Sequence, residues 1–422
     1  MNNTCPIPTL RSTTDGLMLE KTLLSTIAER YGTPVYIYSK AALCDAWQGY
    51  MQAFTDFPVT ICYAVKVNSN LSILRHFAAS GAGFDIVSGG ELARVIAAGG
   101  DPAKIVFSGV GKTITEIRYA LQTGIRCFNI ESEEELQRIA GIAAAEGKIA
   151  PIALRINPDV NPLTHPYIST GLKNNKFGIA WQKAPALYRQ AAANPHLKIT
   201  GIACHIGSQI LDPGPQTEAT VKLLQLVDTL AEDGIRITHL DLGGGMGIRY
   251  TDEKAPSAAD YYSPILKALE GRSEQISIEP GRSLVGNAGL LLTRIEYLKS
   301  SEDKHFAVVD AAMNDLIRPA LYQAKHRIVP VTEKRGIEQV YDIVGPVCES
   351  SDFLAKDQRM VLESGDLLAV LSAGAYCMSM SSNYNSRPRV AEVMIDGDQC
   401  QLIRARESIE SLFALELPQA LG

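Results

Sequence analysis

A lysine at the end of an apolar run is the first residue whose chemistry stands out. In VTICYAVKV (59–67) the residues Val59, Ile61, Cys62, Tyr63, Ala64, Val65 and Val67 surround Lys66, just before the polar Asn68-Ser69-Asn70. Such a run predicts a strand buried on both faces. An amine at its end would have its ammonium form disfavoured and would act as a nucleophile. Taken singly, a strand-end lysine is ordinarily a solvated surface residue, a lone histidine a core residue, and a glycine triplet a tight turn. The joint pattern is what carries chemistry here.

HLDLGGGMG (239–247) supplies successive glycines, and ISIEPGRS (276–283) supplies Glu279. Glycines let backbone N–H groups approach a phosphate closely. A buried carboxylate can hold a ring nitrogen protonated. An amine that condenses with an aldehyde, a phosphate cradle and an acid facing a pyridine nitrogen are what pyridoxal 5'-phosphate requires. No G-x-G-x-x-G follows the first strand, so a nicotinamide cofactor is not expected.

These residues need a scaffold that gathers strand ends. Eight β-like runs alternate with amphipathic helical patterns: 59–67, 83–88, 104–109, 126–132, 152–158, 199–208, 239–247 and 276–283. The helical pattern 41–54 precedes the first run and would complete the set. This predicts a (β/α)8, TIM-like barrel, whose chemistry lies at the C-terminal strand ends; a doubly wound open sheet is the alternative. Those ends carry Lys66, Asp85 to Ser88, Ser108, Glu131, Arg155 to Asn157, His205 to Ser208, the glycines 243–245, and Glu279 to Arg282. Ser132 followed by Glu135 predicts a capping box. The connection 161–178 is too long for a plain turn and is a candidate active-site loop. From 286 onward the text becomes β-like with polar turns, predicting a second, mostly-β domain over 286–422 after a barrel over 30–285. The segment 1–29 is expected to pack on the β domain, and PVYIYSK (34–40) is also β-like.

Composition narrows the class. The 422 residues carry a net charge of −6, with 46% hydrophobic and 20% charged side chains, which suits a globular protein. No basic run is present, so nucleic acid is not an expected partner. No apolar stretch reaches the ~18 residues of a membrane span, and the first residues lack the pattern of a secretory signal. The eight cysteines are scattered without metal-ligand spacing. Reduced thiols in the cytoplasm are expected, with no bound metal.

The motifs YAVKVN (63–68), FDIVSGGE (84–91), HIGSQ (205–209), GGGMG (243–247), EPGR (279–282), RPALY (318–322), GPVCESSD (345–352) and AGAY (373–376) occur in one order. In that order the chain resembles the fold-type III pyridoxal-phosphate decarboxylases, and within them the diaminopimelate decarboxylases, over residues 30–415. The resemblance implies an alanine-racemase-like barrel plus a β domain, and a homodimer with shared active sites. It implies that Lys66 carries the cofactor, that His205 stacks on its ring and that Glu279 pairs with its nitrogen. It places Ser208, Gly244, Gly245, Pro280, Gly281, Arg282 and Tyr376 around the phosphate; Asp85 and Arg155 complete the cofactor-binding candidates. It assigns Arg282, Arg318, Tyr322 and Tyr376 to a distal substrate carboxylate and Glu349 to a distal amine. Cys348 resembles the proton donor, supplied with Glu349 by the partner chain. Val67 departs from the alanine of many relatives and adds bulk beside Lys66.

The implied reaction is decarboxylation of meso-2,6-diaminopimelate to L-lysine, the last step of lysine biosynthesis. Decarboxylases of ornithine, arginine, or carrier-tethered and siderophore-precursor amino acids are the nearest alternatives. Ornithine's far end is only an amine and would not call for Arg318. Alanine racemase is shorter and lacks the Cys-Glu motif. A non-catalytic pyridoxal-phosphate-binding protein would be a single barrel, and a class I aldolase would use the lysine without a cofactor.

Overall fold

A computed structural model describes residues 5–161, 176–302 and 304–416. The chain divides into two compact units. One holds Trp47–Ile248 and Lys254–Leu284. The other holds the chain up to Ala46, Arg249–Glu253 and the chain from Val285 onward.

The first unit is the expected barrel. Its strands are β1 (Val59–Ala64), β2 (Gly83–Ile86), β3 (Ile105–Phe107), β4 (Cys127–Ile130), β5 (Ala150–Asn157), β6 (Leu197–Ala203), β7 (His239–Asp241) and β8 (Gln275–Ile278). All neighbours pair in parallel, and β8 closes on β1 through Ile276 opposite Val59. Most of the strand residues are buried, so the sheet needs helices outside it. Tyr63 of β1 stacks on Phe77 of the helix Leu71–Ala79, ring centroids 4.5 Å apart. Phe54 meets Tyr262 of the helix Ala258–Ala268 at 5.0 Å. The helix Lys40–Ala53 that leads to Phe54 thus runs into the outer layer, close to the expected 41–54. A two-residue strand, Ile179–Ala180, adds to β5 outside the closed ring and was not anticipated.

The helix starts show how local sequence sets these elements. Ser132 caps the helix Glu133–Ala145 by accepting from Glu135 N at 3.2 Å. The expected capping box forms only by half. The Glu135 carboxylate turns instead to Glu131 N and to the Lys112 ammonium, because a buried cation outcompetes the cap's own N–H. A complete box forms at Thr113 and Glu116, where Glu116 reaches back to Thr113 N at 3.0 Å.

The second unit is a mostly-β assembly. Gly289–Ser300 is its hub, pairing antiparallel with Val35–Ser39, His305–Val309 and Leu367–Val370. Val35–Ser39 lies between that hub and Ala391–Asp396, with which it runs parallel. Phe353–Met360 and Gln399–Arg404 lie at the two ends of the strand path. A small meander, Leu10–Thr13, Gly16–Leu19 and Thr22–Leu23, precedes this sheet. Ile7, Leu10, Leu17 and Leu24 share one core with Val35, Leu290, Leu371 and Val393. Burying such side chains contributes about 1.5–3 kcal/mol each before entropy is counted, so the N-terminal segment is integral to this unit.

Candidate active site

The barrel's C-terminal strand ends converge on a cleft lined by Lys66, Ser108, Asn129, Arg155, Phe177, His205 and Glu279. β1 stops at Ala64, so Lys66 is not a strand residue as read from the sequence. It sits in a single tight helical turn, Val65–Val67, whose two valines are buried. That turn spends its apolar residues inward and leaves the amine to the cleft. The surroundings of the amine also differ from the apolar pocket expected. Lys66 Nζ forms an ion pair with the fully buried Asp85 at the end of β2. The second carboxylate oxygen of Asp85 is buried with no hydrogen-bond partner.

His205 follows β6 in a loop rather than within the strand. Gly244 N–H donates to its Nδ1 at 3.2 Å, which makes Nδ1 the acceptor and leaves the proton on Nε2. Burial, with the positive charges of Arg155 and then Lys66 adding to it, holds the imidazole well below its usual pKa, so the ring is neutral. Gly244 also shows why a glycine is needed: a Cβ there would strike the carbonyl oxygen of Glu279.

The loops after β6 and β7 brace each other. Ile210 N donates to Gly245 O at 2.9 Å and Glu279 N donates to Gly243 O at 2.8 Å. Ser208 Oγ accepts from Arg282 Nη2 at 2.8 Å, which ties HIGSQ to EPGR. Pro280 and Gly281 are buried, and Pro280 O accepts from Ala64 N at 3.1 Å, fixing EPGR beside the end of β1.

Glu279 directly follows β8 and is buried, and its Oε1 has no hydrogen-bond partner. Burial first, then the nearby carboxylates Asp241 and Asp85, raise its pKa well above the ordinary range; Lys66 opposes this only in part. Asp241 is raised as well, chiefly by burial. The pair therefore holds a proton that water would have removed.

In the other unit, Arg318 is buried, with its guanidinium over the rings of Tyr250 at 5.3 Å and Tyr322 at 5.8 Å. Its Nε donates to His326 Nε2 at 3.3 Å. Cys348 and Glu349 are exposed on a braced loop. Asp352 accepts from Val347 N and Met313 N, each at 2.7 Å, and Asn385 Oδ1 accepts from Cys348 N at 2.8 Å. Tyr376 has φ +56°, a left-handed backbone that a bulky side chain adopts at a cost. Most of the long connection read as a candidate loop lies outside the described residues; Lys176, Phe177 and Gly178 at its end are described.

Residues 40–286 match the family described as pyridoxal-dependent decarboxylase, pyridoxal binding domain. The diaminopimelate decarboxylase of Vibrio cholerae is 56% identical over 401 residues, covering 95% of this chain and 96% of that protein. This chain belongs to the diaminopimelate decarboxylase family. The Helicobacter pylori diaminopimelate decarboxylase complexed with L-lysine is 44% identical with a TM-score of 0.90, covering 93% of this chain and 98% of that one. The M. jannaschii diaminopimelate decarboxylase in co-complex with L-lysine gives a TM-score of 0.94 at 37% identity, covering 98% and 99%.

The site fits the cofactor that this diaminopimelate decarboxylase family implies. The partnerless Oε1 of Glu279, whose pair with Asp241 holds a proton, matches a ring nitrogen, the neutral His205 a ring face, and the Gly244-Gly245 and Ser208-Arg282 loops an anion. Lys66 lies within the same cleft. Three members of the site escaped the sequence reading. Asn129 is a polar residue inside an otherwise apolar strand, which is a usable signal. Asp241 reads as part of a strand, and Phe177 is marked only as one residue of the connection 161–178 read as a candidate active-site loop.

Proposed function

We propose that this protein decarboxylates meso-2,6-diaminopimelate to L-lysine with pyridoxal 5'-phosphate. The observation that carries this is near full-length identity to diaminopimelate decarboxylases, on a chain that presents Lys66, His205 and Glu279 in one cleft. Pyridoxal phosphate supplies an electron sink for the pair left at the α-carbon when CO2 departs. The chain's own residues do the rest. Lys66 holds the cofactor, and Asp85 orients its amine. His205 presents a neutral ring face. Ser208, Gly244, Gly245, Pro280, Gly281 and Arg282 bind the phosphate, with Tyr376 closing over it. Arg282, Arg318, Tyr322 and Tyr376 hold the distal carboxylate of the substrate, and Glu349 its distal ammonium. Cys348 Sγ gives the proton that takes the place of CO2.

Two expected results test this reading. A purified preparation given meso-diaminopimelate should release CO2 and lysine in equal amounts, whereas ornithine and lysine should react about 10⁴-fold more slowly. A site built to pair a cation with an anion penalises substrates that leave either one unmatched. Ornithine turnover within about tenfold of diaminopimelate would sink the assignment of Arg318 and Glu349.

The second concerns assembly. The reading makes the protein a homodimer in which Cys348 and Glu349 serve the partner's cleft; their exposure on a rigid loop supports this. A two-fold contact then creates two equal sites. Mixing inactive Lys66→Ala and Cys348→Ala chains should restore activity to about a quarter of wild type, since about half the dimers are mixed and one of their two sites is intact. Confirmed subunit exchange without recovered activity means that Cys348 is not shared. Eight unpaired thiols support placing the protein in the cytoplasm.

A further inference from the structure

Arg155 enters the cleft from the end of β5, and what holds it there is a residue outside the cleft lining. Its Nη1 donates to Glu131 Oε1 at 2.7 Å, with the two side chains 10% and 2% exposed. The same carboxylate has two further partners. Gly109 N–H, in the turn after β3, donates to Oε1 at 3.1 Å, and Gly178 N–H donates to Oε2 at 2.8 Å. Gly178 has φ +74°, a left-handed conformation, and a Cβ there would press on Arg155 O and Asn157 N at 3.2 Å each. Next to it, the Phe177 ring lies 5.0 Å beneath the Arg155 guanidinium. One carboxylate thus gathers a guanidinium and two backbone turns at three neighbouring strand ends.

Behind Glu131 the network of buried charges continues. Its backbone N–H donates to Glu135 Oε2 at 2.6 Å, and Glu135 Oε1 accepts from the buried Lys112 at 2.8 Å. Lys112 is further held by Gly109 O and Asn129 O, each at 2.8 Å. Four buried charges are a poor way to gain stability, because desolvation offsets most of their attraction and apolar packing would serve as well. They are a good way to fix the direction of a planar fork of N–H donors, which is what an arginine in a binding cleft needs.

We propose that Glu131 is a positioning residue that acts by holding Arg155 in place, and so sets the affinity of the cleft for its phosphorylated pyridine cofactor. This rests on the cofactor reading above. The test uses the full chain stripped of cofactor, in four forms: wild type, Glu131→Gln, Arg155→Gln and the double variant. Pyridoxal phosphate is titrated into each with its visible absorbance as the signal, and thermal unfolding is recorded without cofactor. Each single variant is expected to bind about tenfold or more weakly, the scale of one lost charge-assisted hydrogen bond. The double variant is expected to be no weaker than the worse single, because Glu131 acts through Arg155. Losses that multiply in the double variant, or unchanged affinity in Glu131→Gln, overturn the proposal. Should Glu131→Gln fail to fold, Glu131→Asp keeps the charge but withdraws it by a methylene; unchanged affinity there overturns it too. A wild type that binds no pyridoxal phosphate refutes the cofactor reading itself, a separate outcome.

Discussion

Lys66→Ala is expected to lose at least about four orders of magnitude in decarboxylation rate while still folding, at a lowered unfolding temperature because the buried Asp85 loses its cation. Losing the residue that bonds covalently to the reacting system costs up to ~10⁶ in other enzymes. The fold should survive because Lys66 contributes little packing: the turn is anchored by Val65 and Val67, which stay. The companion measurement is borohydride reduction of the loaded wild-type protein followed by peptide mapping, which should place the label on Lys66. Lys112 is an unsuitable rival because its amine is buried and committed to three acceptors. Lys176 is another candidate by position, its amine 5.2 Å from the Phe177 ring. A label on either lysine, or on Lys173, refutes the assignment.

Glu279→Gln should keep its cofactor, visible as a retained absorption band, while turnover falls by about 10²–10³. That is the usual loss when one preorganised electrostatic partner is removed from a reacting centre. The physical basis is the proton that burial and the neighbouring carboxylates keep on Glu279 and Asp241. A carboxyl of this kind can pass its proton to a ring nitrogen and remain as the paired anion, which an amide cannot do. Near-normal turnover in the variant means that Glu279 does not hold the ring nitrogen protonated.

The eight barrel strands were legible because most are short β-like runs alternating with helical patterns, and that alternation is local. The cleft was legible for the same reason: Lys66, Arg155, His205 and Glu279 all stand where a run ends. The capping of Glu133–Ala145 was only half legible, because the fate of the Glu135 carboxylate depends on Lys112, which is distant in sequence and adjacent in space. The role of Glu131 was hidden likewise, since Gly109 and Gly178 come from two different connections and Arg155 from β5. Lys66 reads as a strand residue, but the strand ends before it at Ala64, and its partner was not foreseen. Asp85 reads as one more strand-end residue until β1 and β2 are set side by side.

The placement of Val35–Ser39 sets an order of events during synthesis. All five of its residues are buried in the finished sheet, yet both strands that flank it come from the last third of the chain. The barrel's own strands have all been made by Ile278. The barrel can therefore close on the ribosome while this early strand waits with both edges open, which is the state most prone to wrong pairing. Long-range pairings of this kind are also slow to form. Loss of the C-terminal strands would strip a neighbour from a strand made some hundreds of residues earlier, so damage at one end of the chain is felt at the other. The sheet unit matures only after Ala391–Asp396 has been made.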